Sequence, residues 1–546
     1  MPDVDRRELQ EKQLLNHMAD KEQGLISGRN HHAEHVSQPE KKLREAVCVL
    51  LVELCERFTF FGIVCNMILF CTVKLGYRNY QAAIVNMCFV GTSMLTPVLV
   101  GWLAECLVGR TKLVCICMFL HFLGTALLPV VAFPFEDIYL DRRHILHTLT
   151  KGEQKAVFYF ALLTASLGIG GIRAIVCPLS AYHLEHCGPK ELLSFFNCIL
   201  PPLLGQQVKT QQCVLSLPAD SSLLTTLGVI AAALRACCAR YRYFTGGAAN
   251  WLDHAKENHG GHYSEMQVES TKLLAKLFPL FAFQILYRTC VMQIPSGYYL
   301  QTMNSNLHFS GFVLPVAAMN VVSIVPLLIL VPILDCINSY LFSSKATGHS
   351  PTIYIVVGQL SAALSMMVAG FSEIHRKHFP EVEQTLSKEV LLVSSMPCFH
   401  LAPQYILLGV AEALVTPSCS LLSFWLVPER IRGISMHFLT LFNGAGCFMG
   451  AFLVQTAHAG TQGDWFPHLL HEGKLERFFF FLASLMLVNT LGFWSIAHRY
   501  HNVNEEHTNG FRGSLAEEKL LQHQKAIKHY GSVLESPPIW SPMEET

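Results

Sequence analysis

The sequence is poor in charged residues. Asp, Glu, Lys and Arg make up 15% of its 546 residues, whereas soluble domains carry about 25%. The 40 basic residues are balanced by 40 acidic ones, so no excess of positive charge indicates a nucleic-acid partner. Hydrophobic residues account for 51% of the chain, and its mean hydropathy is +0.35. This composition excludes an ordinary soluble domain and indicates a protein that crosses a membrane several times.

Motifs of enzymes, cofactor sites and metal sites are also missing. The chain has no nucleotide-binding Gly-x-x-x-x-Gly-Lys-Ser/Thr and no His-Glu-x-x-His. Its 19 cysteines lie mostly in apolar runs without zinc-ligand or disulfide spacing, so we interpret them as small packing residues in a reducing setting. Of its 26 histidines, His31, His32 and His35 lie in a polar tail without partner cysteines. We therefore expect a non-enzyme without a cofactor or bound metal.

The polar N-terminal tail has no apolar core typical of a signal peptide. Lys41, Lys42 and Arg44 come directly before the first apolar run. Because basic residues favour the cytoplasmic side, we expect the tail to be cytoplasmic and the first span to begin there.

Ten long apolar runs and two doubtful ones predict an all-α membrane protein with 12 transmembrane helices in two six-helix halves. We expect a cytoplasmic N-terminal tail at 1–45, six-helix bundles at 46–242 and 272–498, a cytoplasmic linker at 243–271 and a cytoplasmic C-terminal tail at 499–546. Runs with clear limits cover about 46–73, 81–108, 113–133, 156–178, 223–238, 312–333, 352–371, 434–454 and 477–496. A loop is expected at 372–396, followed by a run that opens near Ala402.

The fifth and sixth runs are short. Pro201 and Pro202 interrupt the fifth run, and a polar stretch follows at 206–212. Proline leaves backbone acceptors unpaired, and several buried glutamines would be costly in hydrocarbon. We predict poor insertion of 198–251, and a broken helix that lines a cavity is the alternative.

Three charges lie in the first apolar run. Glu53, Glu56 and Arg57 are spaced i, i+3 and i+4, so they project from one face of a helix. Each charge near the bilayer centre costs about 2.5–3.5 kcal/mol, which a polar interior avoids. The alternative is a Glu53–Arg57 ion pair that only stabilises the helix, but it does not explain Glu56.

Four motifs together resemble the proton-coupled oligopeptide transporters, a branch of the major facilitator superfamily. The first is the Glu-x-x-Glu-Arg-Phe of the first run, which ends at Gly62. The second is Gly101 to Lys112, with its acid and bases between two runs. The others are Gly-Ile-Gly-Gly-Ile-Arg at 168–173 and Pro-Gln-Tyr at 403–405, which precedes Glu412.

The resemblance implies a major facilitator fold and a symporter of short peptides, histidine or a related amphoteric solute that works by alternating access. It assigns proton coupling to Glu53, Glu56 and Arg57, and a gating loop to Glu105 and Arg110, for which plain positive-inside charge is the alternative. The residues it implies for solute binding are Arg57, Arg173, Tyr287, Gln293 and Glu412, with arginines at the carboxylate and Glu412 at the amine. The implied partners are a small amphoteric solute, protons and lipid.

The chain departs from this family at several positions. Phe60 and Phe61 replace tyrosines, Met87 stands near the place of a second-helix histidine, and Arg288 replaces an aromatic residue. A non-transporting membrane sensor or scaffold is therefore the alternative function. The sequence predicts a multi-pass protein of the plasma membrane or an endolysosomal membrane.

Overall fold

The computed structural model describes residues 51, 54–103, 110–132, 151–185, 222–240, 251–257, 261–309, 311–343, 351–386, 389–425, 432–467, 470–471 and 473–498. The first compact unit of the chain ends at Thr490, and the second begins at Leu491. The packing described below lies within the first unit.

The described residues are mostly helical. Their long helices are α1 Leu54–Lys74, α2 Asn79–Leu103, α3 Arg110–Ala132, α4 Lys151–Glu185, α5 Ser222–Arg240, α6 Glu265–Met303, α7 Met319–Ser343, α8 Pro351–Lys377, α9 Ala402–Trp425, α10 Arg432–Gly460 and α11 Leu475–His498. Eight of these are long and apolar enough to cross a membrane, because about 20 apolar residues span its hydrocarbon core.

Helix α6 changes its winding near its end. An α-helix at Glu265–Val291 is followed by a π-helical segment at Ile294–Tyr298 and a final α-helical turn at Tyr299–Met303. Pro295 lies in the π-helical segment and lacks a backbone N–H. Its carbonyl accepts a hydrogen bond from the Asn86 side chain of α2 at 2.7 Å. The irregular segment therefore links α6 to α2.

Most predicted apolar runs coincide with helices. Helix α5 corresponds to the sixth predicted run, and the residues of the fifth run, including 206–212, lie outside the described residues. Two boundaries differ from the predictions. Helix α6 begins at Glu265, inside the predicted linker, because Ser264 and Gln267 form a capping box there. Helix α8 continues to Lys377, inside the predicted loop.

The remainder of that predicted loop forms a β-hairpin. Strand β4 at Glu381–Leu386 pairs antiparallel with β5 at Glu389–Pro397. The short strand β1 at Ser305–Asn306, directly after α6, pairs parallel with β5. A separate ribbon joins β2 at His308–Phe309 to β3 at Phe312–Val313. We call this end of the bundle the hairpin end.

The opposite end carries the segment that connects α5 to α6. A short 3-10 helix at Trp251–Ala255 packs its apolar residues against α5 and α6. Asp253 lies 2.6 Å from Lys272 Nζ and 3.1 Å from Lys256 Nζ. The two lysines hold the pKa of Asp253 below its usual range, and the carboxylates of Glu269 and Asp253 raise the pKa of Lys256. We call this region the linker end.

Glycines in α4 allow close helix packing. A side chain at Gly168 would collide with the backbone of His121 in α3, and one at Gly170 would collide with Thr96 in α2. Small residues bring helix backbones together in membrane proteins. The Gly-x-Gly-Gly motif therefore holds α4 against α2 and α3, directly before Arg173.

Candidate functional site

A buried carboxylate forms the centre of a charged cluster between α1 and α4. Glu56 is only 2% exposed. Arg173 Nε and Nη2 each lie 2.9 Å from Glu56 Oε1, and Arg57 Nε lies 3.6 Å from Glu56 Oε2. The guanidinium of Arg173 also lies over the Phe60 ring, 4.2 Å from its centroid. One carboxylate is therefore shared by two guanidinium groups.

This arrangement explains how α1 tolerates its charges. Removing one member of a buried ion pair costs about 3–5 kcal/mol, because the other charge remains unpaired. Glu56 and Arg173 are 117 positions apart in the chain, and the close packing of α4 brings them together. The charge on α1 is thus compensated by a second helix rather than by α1 alone.

A histidine that the sequence analysis did not single out adjoins the cluster. His121 Nε2 of α3 lies 3.0 Å from Thr59 Oγ1, and the Thr59 hydroxyl donates to the Glu56 backbone carbonyl at 2.8 Å. His121 interacts electrostatically with both Glu56 and Arg173. Its Nδ1 atom is buried and has no hydrogen-bond partner among the described residues. The chain thus places a titratable ring beside Glu56 from α3.

A second charged pair joins α6 to α9. Arg288 Nη1 donates to Glu412 Oε1 at 3.0 Å, and the side chains are 17% and 32% exposed. Gly446 of α10 makes room for the arginine, because a Cβ there would lie 2.7 Å from Arg288 Cβ. Thr289 also donates to the Gly446 carbonyl at 2.9 Å. The resemblance assigns Glu412 to a solute amine, and in this structure the carboxylate contacts Arg288.

Tyr287 and Gln293, both predicted to bind solute, are buried in α6. Tyr287 is 3% exposed, and its hydroxyl has no hydrogen-bond partner in the described part of the chain. Gln293 Nε2 donates to the Thr289 carbonyl at 3.3 Å, and its Oε1 lies 3.5 Å from Ser296 Oγ. Gln293 is therefore held within its own helix, whereas Tyr287 keeps an unused hydroxyl.

The predicted site residues thus fall into two groups. Glu56, Arg57 and Arg173 meet between α1 and α4, and Tyr287 and Glu412 flank Arg288. Glu53, Glu105 and the Arg110 side chain lie outside the described residues. The residues that the structure describes contain no group of three potential metal ligands.

Contacts between the two halves are found toward the hairpin end. Tyr299 donates to Cys65 Sγ at 3.0 Å, and Asn79 Nδ2 donates to the Pro467 carbonyl at 3.2 Å. The Tyr80 and His458 rings stack with centroids 3.7 Å apart. Together with the Asn86–Pro295 bond, these contacts join α1 and α2 to the C-terminal half. These contacts hold the two halves together at this end.

Comparison with known proteins identifies the class of this bundle. Residues 219–467 match the PTR2 model, which describes the POT family. The in meso crystal structure of the POT family transporter PepTSo matches the structure of this chain with a TM-score of 0.57. The match covers 84% of this chain and 98% of that chain, at 16% sequence identity. The crystal structure of a POT family transporter in complex with 5-aminolevulinic acid matches with a TM-score of 0.54. That match covers 82% of this chain and 95% of that chain, at 12% sequence identity. The chain therefore has the fold of these solved POT family structures.

A relative with higher sequence identity places the chain within that class. It is 53% identical to human solute carrier family 15 member 5 over 534 residues, which cover 91% of this chain and 92% of the relative. The chain therefore belongs to the POT family, a family of multi-pass membrane transporters and not of enzymes.

Proposed function

We propose that this chain is a proton-coupled symporter of a short peptide or a related small solute that carries a carboxylate, with histidine among the candidates. The observation that carries the proposal is the buried Glu56 carboxylate shared by Arg173 and Arg57. A carboxylate held between two cations in membrane-crossing helices is an expected proton carrier. Protonation removes its negative charge, and the two guanidinium groups then lack their counter-charge.

The coupling step begins at the Glu56–Arg173 contact. Protonation of Glu56 removes the negative charge that holds the guanidinium at 2.9 Å. Arg173 is then available to the carboxylate of a solute, as the resemblance implies for this position. When Glu56 loses its proton, it attracts Arg173 again and the solute is released. Proton binding and solute binding thereby become linked through one arginine.

Alternating access would use the contacts that join the two halves at the hairpin end. The Asn86–Pro295 and Tyr299–Cys65 hydrogen bonds hold the halves together there, and they must break for that end to open. The loop between α2 and α3, with Glu105 and Arg110, is proposed to form and break charge contacts at the other end. Glu53 is proposed as a second carboxylate of the proton site. These roles complete a transport cycle between two states.

Uptake into proteoliposomes tests the proposal. Purified protein is reconstituted and exposed to an inward proton gradient, with radiolabelled di- and tripeptides or histidine outside. We expect concentrative uptake that a protonophore abolishes. A transporting POT relative in the same preparation controls for reconstitution. If the relative accumulates solute and this chain accumulates none, the proposal loses its main support, and the alternative of a non-transporting sensor or scaffold is favoured.

The site of action is proposed to be the plasma membrane or an endolysosomal membrane. Imaging of a tagged chain against markers of both membranes distinguishes the two, and the side of higher acidity then gives the direction of solute movement.

A further inference from the structure

The Arg288–Glu412 pair neutralises the acidic side chain that the resemblance assigns to a solute amine. The contact between Arg288 Nη1 and Glu412 Oε1 is 3.0 Å. Arg288 also interacts electrostatically with Tyr287 on its own helix, and its guanidinium forms a side-chain hydrogen bond with Cys447 on α10. The pair is partly accessible, since 17% of the arginine side chain and 32% of the glutamate side chain are exposed. A ligand that reaches Glu412 therefore meets a guanidinium beside it.

A cationic group is poorly suited to this position. An ammonium bound to Glu412 would lie close to Arg288, and two like charges close together repel. It would otherwise have to displace Arg288 and leave that charge unpaired among α6, α9 and α10. Both routes weaken recognition of a free amine.

The neighbouring hydrogen-bond donors favour an acceptor. Arg288 Nε and the Tyr287 hydroxyl are buried and have no hydrogen-bond partner within the described residues. Tyr287 interacts electrostatically with both members of the ion pair. An arginine N–H can only donate, and an ammonium can only donate as well. A carbonyl or carboxylate oxygen of a solute can accept hydrogen bonds from Arg288 Nε and the Tyr287 hydroxyl, whereas an ammonium cannot.

We infer that the Tyr287–Arg288–Glu412 group receives the uncharged acceptor end of a solute whose amine is blocked or absent. The solute class is an N-acylated peptide or a similar carboxylic acid without a free ammonium. This inference rests on the proposed function for the carboxylate end, and it narrows the solutes of that proposal. Arg288 is accordingly a residue that determines specificity.

A binding experiment with two matched probes tests the inference without requiring transport. Alanyl-alanine and N-acetyl-alanyl-alanine have the same carboxylate and differ only at the amine. Their affinities for the purified full-length chain at pH 7 are measured by isothermal calorimetry. A hydrogen bond to a charged group contributes enough that we expect the acetylated probe to bind at least about tenfold more tightly.

Three variants separate charge from shape. R288K keeps the positive charge, and we expect it to keep the preference for the acetylated probe. R288F restores an aromatic residue and frees Glu412, so we expect alanyl-alanine to bind more tightly. R288F/E412Q removes both charges and is expected to show no preference. If R288F does not elute as a folded monomer in size-exclusion chromatography, the double variant provides the comparison.

The outcomes distinguish this inference from the proposed function. Tighter binding of alanyl-alanine by the unmodified chain, or an unchanged preference in the R288F and R288F/E412Q variants, would overturn the inference even if proton-driven uptake occurs. Binding of neither probe would overturn it as well. Preference for the acetylated probe without proton-driven uptake would support the inference and refute the proposed symport.

Discussion

The buried Glu373–Arg376 pair allows a quantitative prediction about stability. Both side chains are almost fully buried near the end of α8, where Arg376 Nη2 and Nε contact the two Glu373 oxygens at 2.7 and 3.0 Å. Arg376 also donates to the backbone carbonyls of Asn304 and Leu470, and Gln301 Nε2 donates to Glu373 at 3.0 Å. The pair therefore links α6, α8 and a loop at the hairpin end.

The magnitude follows from what each substitution leaves unpaired. E373Q keeps the shape and leaves a buried guanidinium without its anion, which costs about 3–5 kcal/mol. R376M leaves a buried carboxylate and also removes the donor of the Leu470 carbonyl, at about 1–3 kcal/mol, whereas the Asn304 carbonyl keeps its hydrogen bond from the Ser394 backbone N–H. E373Q/R376M leaves no buried charge, so it is expected to be more stable than R376M. The coupling energy should lie in the upper part of the range of about 0.5–3 kcal/mol.

Thermal unfolding in detergent, followed by intrinsic fluorescence, measures the order of these variants. For domains of 150–250 residues, each kcal/mol of destabilisation lowers the unfolding midpoint by about 2–4 °C, and for larger ones by less. We therefore expect E373Q to lower the midpoint by about 5–10 °C. The matched control is E383Q on exposed strand β4, which should leave the midpoint within about 1 °C because exposed substitutions change little. If the double variant loses as much as the two single variants together, the reasoning about buried charge is refuted.

Two further predictions concern the proton site and the linker end. H121Q should shift the pH dependence of proton-driven uptake while retaining binding of solute at neutral pH, because it removes the titratable ring beside Glu56; an unchanged pH profile would show that His121 only packs. The lowered pKa of Asp253 means that its ion pairs stabilise the fold above its unfolded pKa of about 3.8 and weaken as pH falls through its folded pKa. In the unmodified chain, amide hydrogen exchange at 251–257, corrected for the intrinsic rate, should therefore be slow and constant from pH 8 to 5. In D253N the same amides should exchange faster at pH 7, and equal protection in D253N would contradict this.

The positions of most helices could be predicted from the sequence, because each apolar run has to be long enough to cross a bilayer. The contact of Arg288 with Glu412 could not be predicted from the sequence. Arg288 and Glu412 are 124 positions apart, and their contact depends on how α6, α9 and α10 pack. The motifs of the first run and of 168–173 identified Glu56 and Arg173. His121 lies in an apolar run without a recognisable motif, and its place in the site follows only from the packing of α3 against α1 and α4.

The region at 372–396 illustrates a different limit. Glu373 and Arg376 made the end of α8 resemble a polar loop, whereas they neutralise each other inside the protein. Strand β5 then pairs with β1, which follows α6 in the sequence. Hydropathy alone cannot detect a buried ion pair or a strand partner distant in the chain. Both require the three-dimensional arrangement.

The central claim is that Glu56 carries the proton that drives transport. The most direct measurement compares E56Q with the unmodified chain in proteoliposomes, first for accumulation under an inward proton gradient and then for solute counterflow without a gradient. We predict that E56Q loses accumulation and retains counterflow, because exchange requires solute binding but no net proton movement. Accumulation by E56Q at the level of the unmodified chain would contradict the claim. Loss of both activities would show that Glu56 only maintains the structure.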